Sequence, residues 1–136
     1  MVDLEQTQED IFEEFSEFES SIEAYQHLNE LATMLPDYDS APSDHVVILD
    51  ELDPEIDLKL WMKDGGIEFT AKSTKQTVEG ILYCVYDLLA GLPPTEVAHS
   101  DVYFVEGFES LGFNSETLSN VMQAIEAIQE FAAERS

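Results

Sequence analysis

Positive charge is almost missing from this sequence. Its 136 residues hold five Lys+Arg against thirty Asp+Glu, a formal net charge of −25 at pH 7 with histidine neutral. A folded domain of this size exposes on the order of 7,000 Å², so each ~300 Å² of surface carries about one net negative charge. Nucleic acid and anionic lipid both require a basic footprint, and direct binding to either is excluded.

Cysteine is reduced to Cys84, which rules out an internal disulfide and any zinc site built on several thiolates. A reducing, cytoplasmic compartment is the expectation. There is no run of about eighteen apolar residues, the length a membrane span needs. The stretch Met1 to Glu5 lacks the cationic start and apolar run of a secretion signal. What is present is a hydrophobic fraction of 44%, enough to fill one core, and a single domain over residues 1–136 is expected.

From Gln8 to Leu35 the apolar residues Ile11, Phe15, Phe18, Ile22, Tyr25, Leu28, Leu31 and Leu35 recur at steps of three and four, the stripe of an amphipathic helix. Thr7 with Asp10 forms a capping-box variant at its start and Pro36 ends it. Ser20 and Ser21, two weak helix formers, mark a break point. The stretch Asp37 to Asp44 reads as a loop. Val46 to Leu49 is β-prone, and Ile56, Leu58, Leu60 and Met62 alternate with polar residues and Trp61 as in a half-buried strand. Asp64-Gly65-Gly66 then reverses the chain into Ile67 to Ala71 as a hairpin.

Ser73 with Gln76 forms a capping box for a helix from about Lys75 to Leu89, which is apolar nearly all round and belongs in the middle of the domain. A short helix starts near Thr95, Val102 to Leu111 is helical, and Val121, Ile125, Ile128 and Phe131 stripe a final helix. The order is helix, small antiparallel sheet of about three strands, then helices, which defines an α+β fold.

Few residues support chemistry. Gly65-Gly66 leads from one strand into another, so no helix N-terminus is available to hold a phosphate. His27, His45 and His99 are isolated and form no helical metal pair. Cys84 lies in the most apolar helix, where burial raises a thiol pKa and blunts the nucleophile. The acids of Asp50 to Asp57 match a calcium loop in composition alone, without its alternating ligands and central glycine. The sequence predicts no cofactor, no metal and no enzymatic activity.

Several local motifs in their order resemble the SufE family, small sulfur-acceptor proteins that assist cysteine desulfurases in iron–sulfur cluster assembly. They are the aromatic-rich first helix ending in Leu35-Pro36, the strand carrying Trp61, the stretch Ser73 to Gly80, and Gly91-Leu92-Pro93-Pro94-Thr95-Glu96-Val97. The family's closing helix opens with a Leu-Ser-Pro-x-Arg-x-Asn-Gly motif, onto which Asn114 to Val121 falls in register. The resemblance spans about Ile11 to Ala132 and implies a SufE-like fold.

Two departures stand out. The family's acceptor cysteine lies in a Gly-Cys-x-Ser segment before the strand tryptophan, and that position falls here on Asp53 or Ile56, depending on the gap. The motif's arginine is Leu118 and its glycine is Val121. Without a thiol at the acceptor position the usual sulfur relay has no nucleophile. The resemblance therefore implies an accessory protein that binds a partner with a basic surface, a cysteine desulfurase, as a non-catalytic modulator. It places the partner-binding residues at Asp53, Glu55 and Asp57 of the former acceptor loop, at Trp61, and at Ser115, Ser119 and Asn120.

Two other readings stay open. The acidic surface is that of a protein adapted to a salt-rich cytoplasm, or it imitates nucleic-acid phosphates and occupies the basic groove of a DNA- or RNA-binding protein. Sulfur transfer through Cys84 is the other, and it requires an accessible thiol. Oligomeric state is not encoded in any motif.

Overall fold

The computed structural model describes residues 4–49 and 55–136. Two helices, α1 (Leu4–Ser16) and α2 (Ser21–Ala32), open the chain. The single long helix suggested by the apolar stripe is therefore two, parted at the serine pair. Ser20 is the reason: its hydroxyl accepts from the Glu23 amide at 3.3 Å, while the Glu23 carboxylate accepts from the Glu19 amide at 3.1 Å. Such reciprocal capping satisfies amide groups that a continuous helix would have paired internally. Helix α1 already runs at Thr7, so the Thr7–Asp10 capping box is not its start.

Strands β1 (His45–Leu49), β2 (Ile56–Lys63) and β3 (Gly66–Ser73) form an antiparallel sheet in the order β1-β2-β3. The β2–β3 hairpin pairs Lys63 with Gly66, leaving Asp64 and Gly65 as a two-residue turn with φ of 52° and 82°. Positive φ at both positions matches the right-handed twist of the paired strands.

Helix α3 (Gln76–Leu89) buries Val78, Gly80, Ile81, Leu82, Cys84, Val85, Leu88 and Leu89. It packs against α2 so closely that a β-carbon on Gly80 would stand 2.1 Å from the Leu28 carbonyl oxygen, a position only glycine can fill. The Ser73–Gln76 capping box does not form. The Ser73 amide instead donates to Glu79, and the Gln76 side chain donates to the Asn29 carbonyl.

Helix α4 (Pro94–Ala98) follows, then a 3-10 helix over Phe104–Leu111 and α5 (Ser115–Ala133). The helix expected from Val102 is thus a 3-10 segment that closes on Gly112 at φ 97°. Asn114 caps α5, its side-chain oxygen accepting from the Thr117 amide at 2.7 Å. Ile56, Leu58, Leu60 and Phe69 from the sheet, Leu28 from α2 and Val121, Ala124 and Ile128 from α5 are all wholly buried. Their faces meet in an α+β core, as expected from the order of elements. Among the described residues no helix is long and apolar enough to cross a membrane.

Candidate functional site

Because β2 is the central strand, its side chains point alternately into the core and out of it. Ile56, Leu58 and Leu60 go in and are wholly buried, while Asp57, Lys59 and Trp61 occupy the outward face. The register sets Ile48 of β1 and Lys72 of β3 on either side of Asp57, and Glu68 beside Trp61. Asp57 Oδ1 is buried and finds no hydrogen-bond partner among the described residues. An orphaned carboxylate oxygen costs free energy.

The chain after α2 crosses part of this face. Thr70, wholly buried, donates its hydroxyl to the Pro36 carbonyl. Lys59 Nζ donates to the Tyr38 carbonyl at 2.7 Å and lies 4.5 Å from the centre of the Tyr38 ring, with Lys72 Nζ 5.8 Å away. The Tyr38 hydroxyl is held above its ordinary pKa, first by loss of water and then by Asp57 and Asp39. The phenol stays neutral, and its ring face attracts the two ammonium groups.

The cations are placed unevenly. Of five Lys+Arg in the whole chain, Lys59, Lys63 and Lys72 sit on the strands of this sheet and Lys75 at the cap of α3, leaving Arg135 alone at the far end. Val46 and Ile48 of the edge strand β1 share the outward face and are 43% and 59% exposed. The outer sheet is a mixed basic and apolar patch on an otherwise acidic chain. The crowding of lysine between positions 59 and 75 is legible in the sequence. The role of Tyr38 is not, because it depends on a loop folding back over two strands.

The sequence-predicted contact residues are distributed as follows. Asp53 lies outside the described residues, Glu55 is exposed just before β2, and Asp57 and Trp61 stand on the outward sheet face. Ser115 and Ser119 are exposed on the first turns of α5, but Asn120 is only 4% exposed. Helix α5 turns its apolar stripe to the core side, where His45 meets the Phe131 ring at 5.1 Å. Asp57 and Trp61 are thus on the sheet face directed away from α5.

No group of three or more His, Cys, Asp or Glu side chains that could hold a metal occurs among the described residues. Ile56, one of the two positions onto which the family's acceptor cysteine falls, is wholly buried at the start of β2. Leu118 and Val121, which replace the arginine and glycine of the closing motif, are 6% and 0% exposed and belong to the core of α5. Cys84 is 5% exposed within α3. Its thiol is pushed well above the ordinary value by burial, with Glu14 and Asp87 adding to the rise.

Comparison with known proteins gives this arrangement its context. The solution structure of a hypothetical protein from Thermus thermophilus superimposes with a TM-score of 0.75 at 17% sequence identity, covering 94% of each chain. At that identity the likeness concerns the fold. No curated protein matches the chain. Residues 9–132 match the SufE family, described as an Fe-S metabolism associated domain, and the α+β sheet and helices have the order that family's motifs implied. The chain belongs to the SufE family, and its role lies in Fe–S metabolism.

Proposed function

We propose that this protein is an accessory factor of Fe–S metabolism that binds a cysteine desulfurase without itself carrying persulfide. The observation that carries this reading is the state of its one thiol: Cys84 is 5% exposed inside α3, and its pKa is raised rather than lowered. Accepting sulfur from an enzyme persulfide needs an acceptor thiolate that attacks the terminal sulfur and releases the enzyme's own thiolate. A buried thiol held in its protonated form is neither available nor nucleophilic. The family's fold is retained and the acceptor position is not a cysteine, so binding is the property left to act.

The proposed contact surface is the outward sheet face at β2, with Glu55, Asp57 and Trp61; of the other residues implied by the family's motifs, Ser115 and Ser119 lie on α5, from which that face is turned away, Asn120 is buried, and Asp53 lies outside the described residues. Trp61 is the type of large, half-buried anchor that dominates protein interfaces. A nucleic-acid mimic draws on the same thirty carboxylates, yet the outward sheet face carries Lys59, Lys63 and Lys72, a poor imitation of phosphate there.

The test uses purified protein, a cysteine desulfurase with its cofactor, and cysteine. Sedimentation should reveal a complex that Trp61→Ala combined with Asp57→Lys weakens by about tenfold or more, the scale of one lost interface anchor. Intact-mass measurement should find no added sulfur. Absence of a complex, or its displacement by free DNA, would sink the binding reading. A sulfur located on Cys84 and abolished by Cys84→Ser would make the protein a carrier.

A further inference from the structure

Aromatic side chains of α1 and the 3-10 helix enclose an open cavity of about 370 Å³. Phe12, Phe15 and Phe18 form one wall and Phe104 and Phe108 the other, with Phe15 and Phe108 in edge-to-face contact at 4.9 Å. Ser16 and Ser110, both exposed, stand at its mouth. The volume lies at the lower end of ligand pockets, roughly 300–1,000 Å³. It suits one or two apolar side chains.

The backbone sets the two walls closely against each other. The 3-10 helix runs for eight residues, longer than the three or four such segments usually sustain. Gly107 faces Phe12 so closely that a β-carbon there would stand 2.3 Å from the Phe12 ring. The buried Gln8 side chain ties the start of the 3-10 helix to α1.

Charge then selects what enters. Lys59 is the first Lys or Arg in the chain, and none occurs between Lys75 and Arg135. Both walls are therefore built from segments without a single lysine or arginine. Glu13, Glu14 and Glu17 on the first wall's segment and Glu106 and Glu109 on the second are all exposed. The titratable base at the cavity is His27, whose ring lies 5.5 Å from Phe15 and 5.3 Å from Phe18 and whose Nε2 is 2.7 Å from Glu14 Oε1. An anionic amphiphile is repelled by this setting. A cation is drawn to it by the carboxylates, and the ring faces of the phenylalanines add their own attraction.

We propose that this cavity is a docking pocket for a basic segment of a protein partner that seats an apolar anchor in its open mouth, against the part-exposed rings of Phe12 and Phe18. The pocket uses none of the residues assigned to desulfurase binding, and the inference stands apart from that reading. The partner is defined by its chemistry: large apolar side chains flanked by lysine or arginine.

Three hexapeptides test it against the full-length protein: Leu-Phe between pairs of lysine, Ala-Ala between the same pairs, and Leu-Phe between pairs of glutamate. Calorimetry should show the first binding about tenfold or more tightly than the second, with the third not binding. Amide shifts should move at Phe12, Phe18 and Gly107. Ser110→Trp and Ser16→Phe, which fill the mouth from opposite walls at exposed positions, should each abolish the preference while leaving the melting temperature unchanged. Equal binding of the two lysine peptides would show that charge alone acts and would overturn the proposal. Binding retained in both filled variants, or no binding of the first peptide, overturns it too; the peptide comparison decides it even if a variant does not fold.

Discussion

The Phe104 amide donates to the side-chain oxygen of Gln8 at 3.0 Å across 96 residues of sequence. The same oxygen accepts from the Tyr103 amide at 2.7 Å, and Gln8 Nε2 donates to the Asp101 carbonyl at 2.9 Å. Gln8 is 1% exposed, so one amide side chain supplies both acceptor and donor where the chain enters the 3-10 helix.

Replacing Gln8 with leucine keeps much of the volume but removes every one of these bonds. The buried Phe104 amide loses its acceptor, and a buried orphan costs about 1–3 kcal/mol. Gln8→Leu should lower the urea midpoint accordingly. Gln8→Glu keeps the acceptor and loses the donor at the cost of a buried charge, and should also destabilise. A midpoint unchanged in Gln8→Leu would show that the clamp adds nothing to stability.

Gly80→Ala should be among the most damaging single-methyl additions. The new carbon would stand 2.1 Å from the backbone oxygen of Leu28, which cannot rotate aside. Helices α2 and α3 must separate, and overpacking of this type costs about 1–3 kcal/mol. Thermal melting of Gly80→Ala beside Gly65→Ala, whose β-carbon meets nothing within 4 Å but whose φ is 82°, separates steric overlap from backbone strain.

Salt should stabilise the fold. Among the described residues Glu134 pairs with Arg135, and Glu14 and Glu30 lie beside His27, contacts that are ion pairs only when the imidazole is protonated, whereas Lys59 is bonded to a carbonyl. Local pairing therefore offsets little of the net charge of −25. Screening shortens the reach of self-repulsion from about 8 Å at physiological ionic strength to about 3 Å at 1 M. The melting temperature should rise steadily over that range. A flat profile would mean that the carboxylates are compensated by other means.

Alkaline pH should destabilise it, beginning with Cys84. Burial raises this thiol above its ordinary 9.0 in the folded state. Above that pH the unfolded chain releases the proton while the folded chain keeps it. Stability then falls as pH rises, by about 1.4 kcal/mol per pH unit for one such group, with no effect below the ordinary value. Tyr38, Tyr83 and Tyr86, each raised chiefly by burial, extend the loss above their ordinary 10.0. Cys84→Ala should flatten the slope of unfolding free energy between about pH 9 and about pH 10. An unaltered slope would mean that the thiol ionises without unfolding the chain.

Sequence alone carried the class of each element where local chemistry decides it. The alternation of Ile56, Leu58 and Leu60 set which face of β2 is buried, and Asp64-Gly65 set the hairpin turn, because side-chain period and positive φ are local properties. The family motifs, ordered along the chain, led to the same fold. The scarcity of cations in the chain needed no structure at all.

Tertiary structure decided what depends on distant residues. It wound Phe104–Leu111 as a 3-10 helix, and buried Asn120 while leaving Ser119 exposed on the same helix. It set Tyr38 against Lys59 and brought two sets of phenylalanines, about ninety residues apart in sequence, to face each other across one cavity. A periodic pattern specifies that a face is apolar but not which other face covers it. That choice is made by packing among elements remote in sequence.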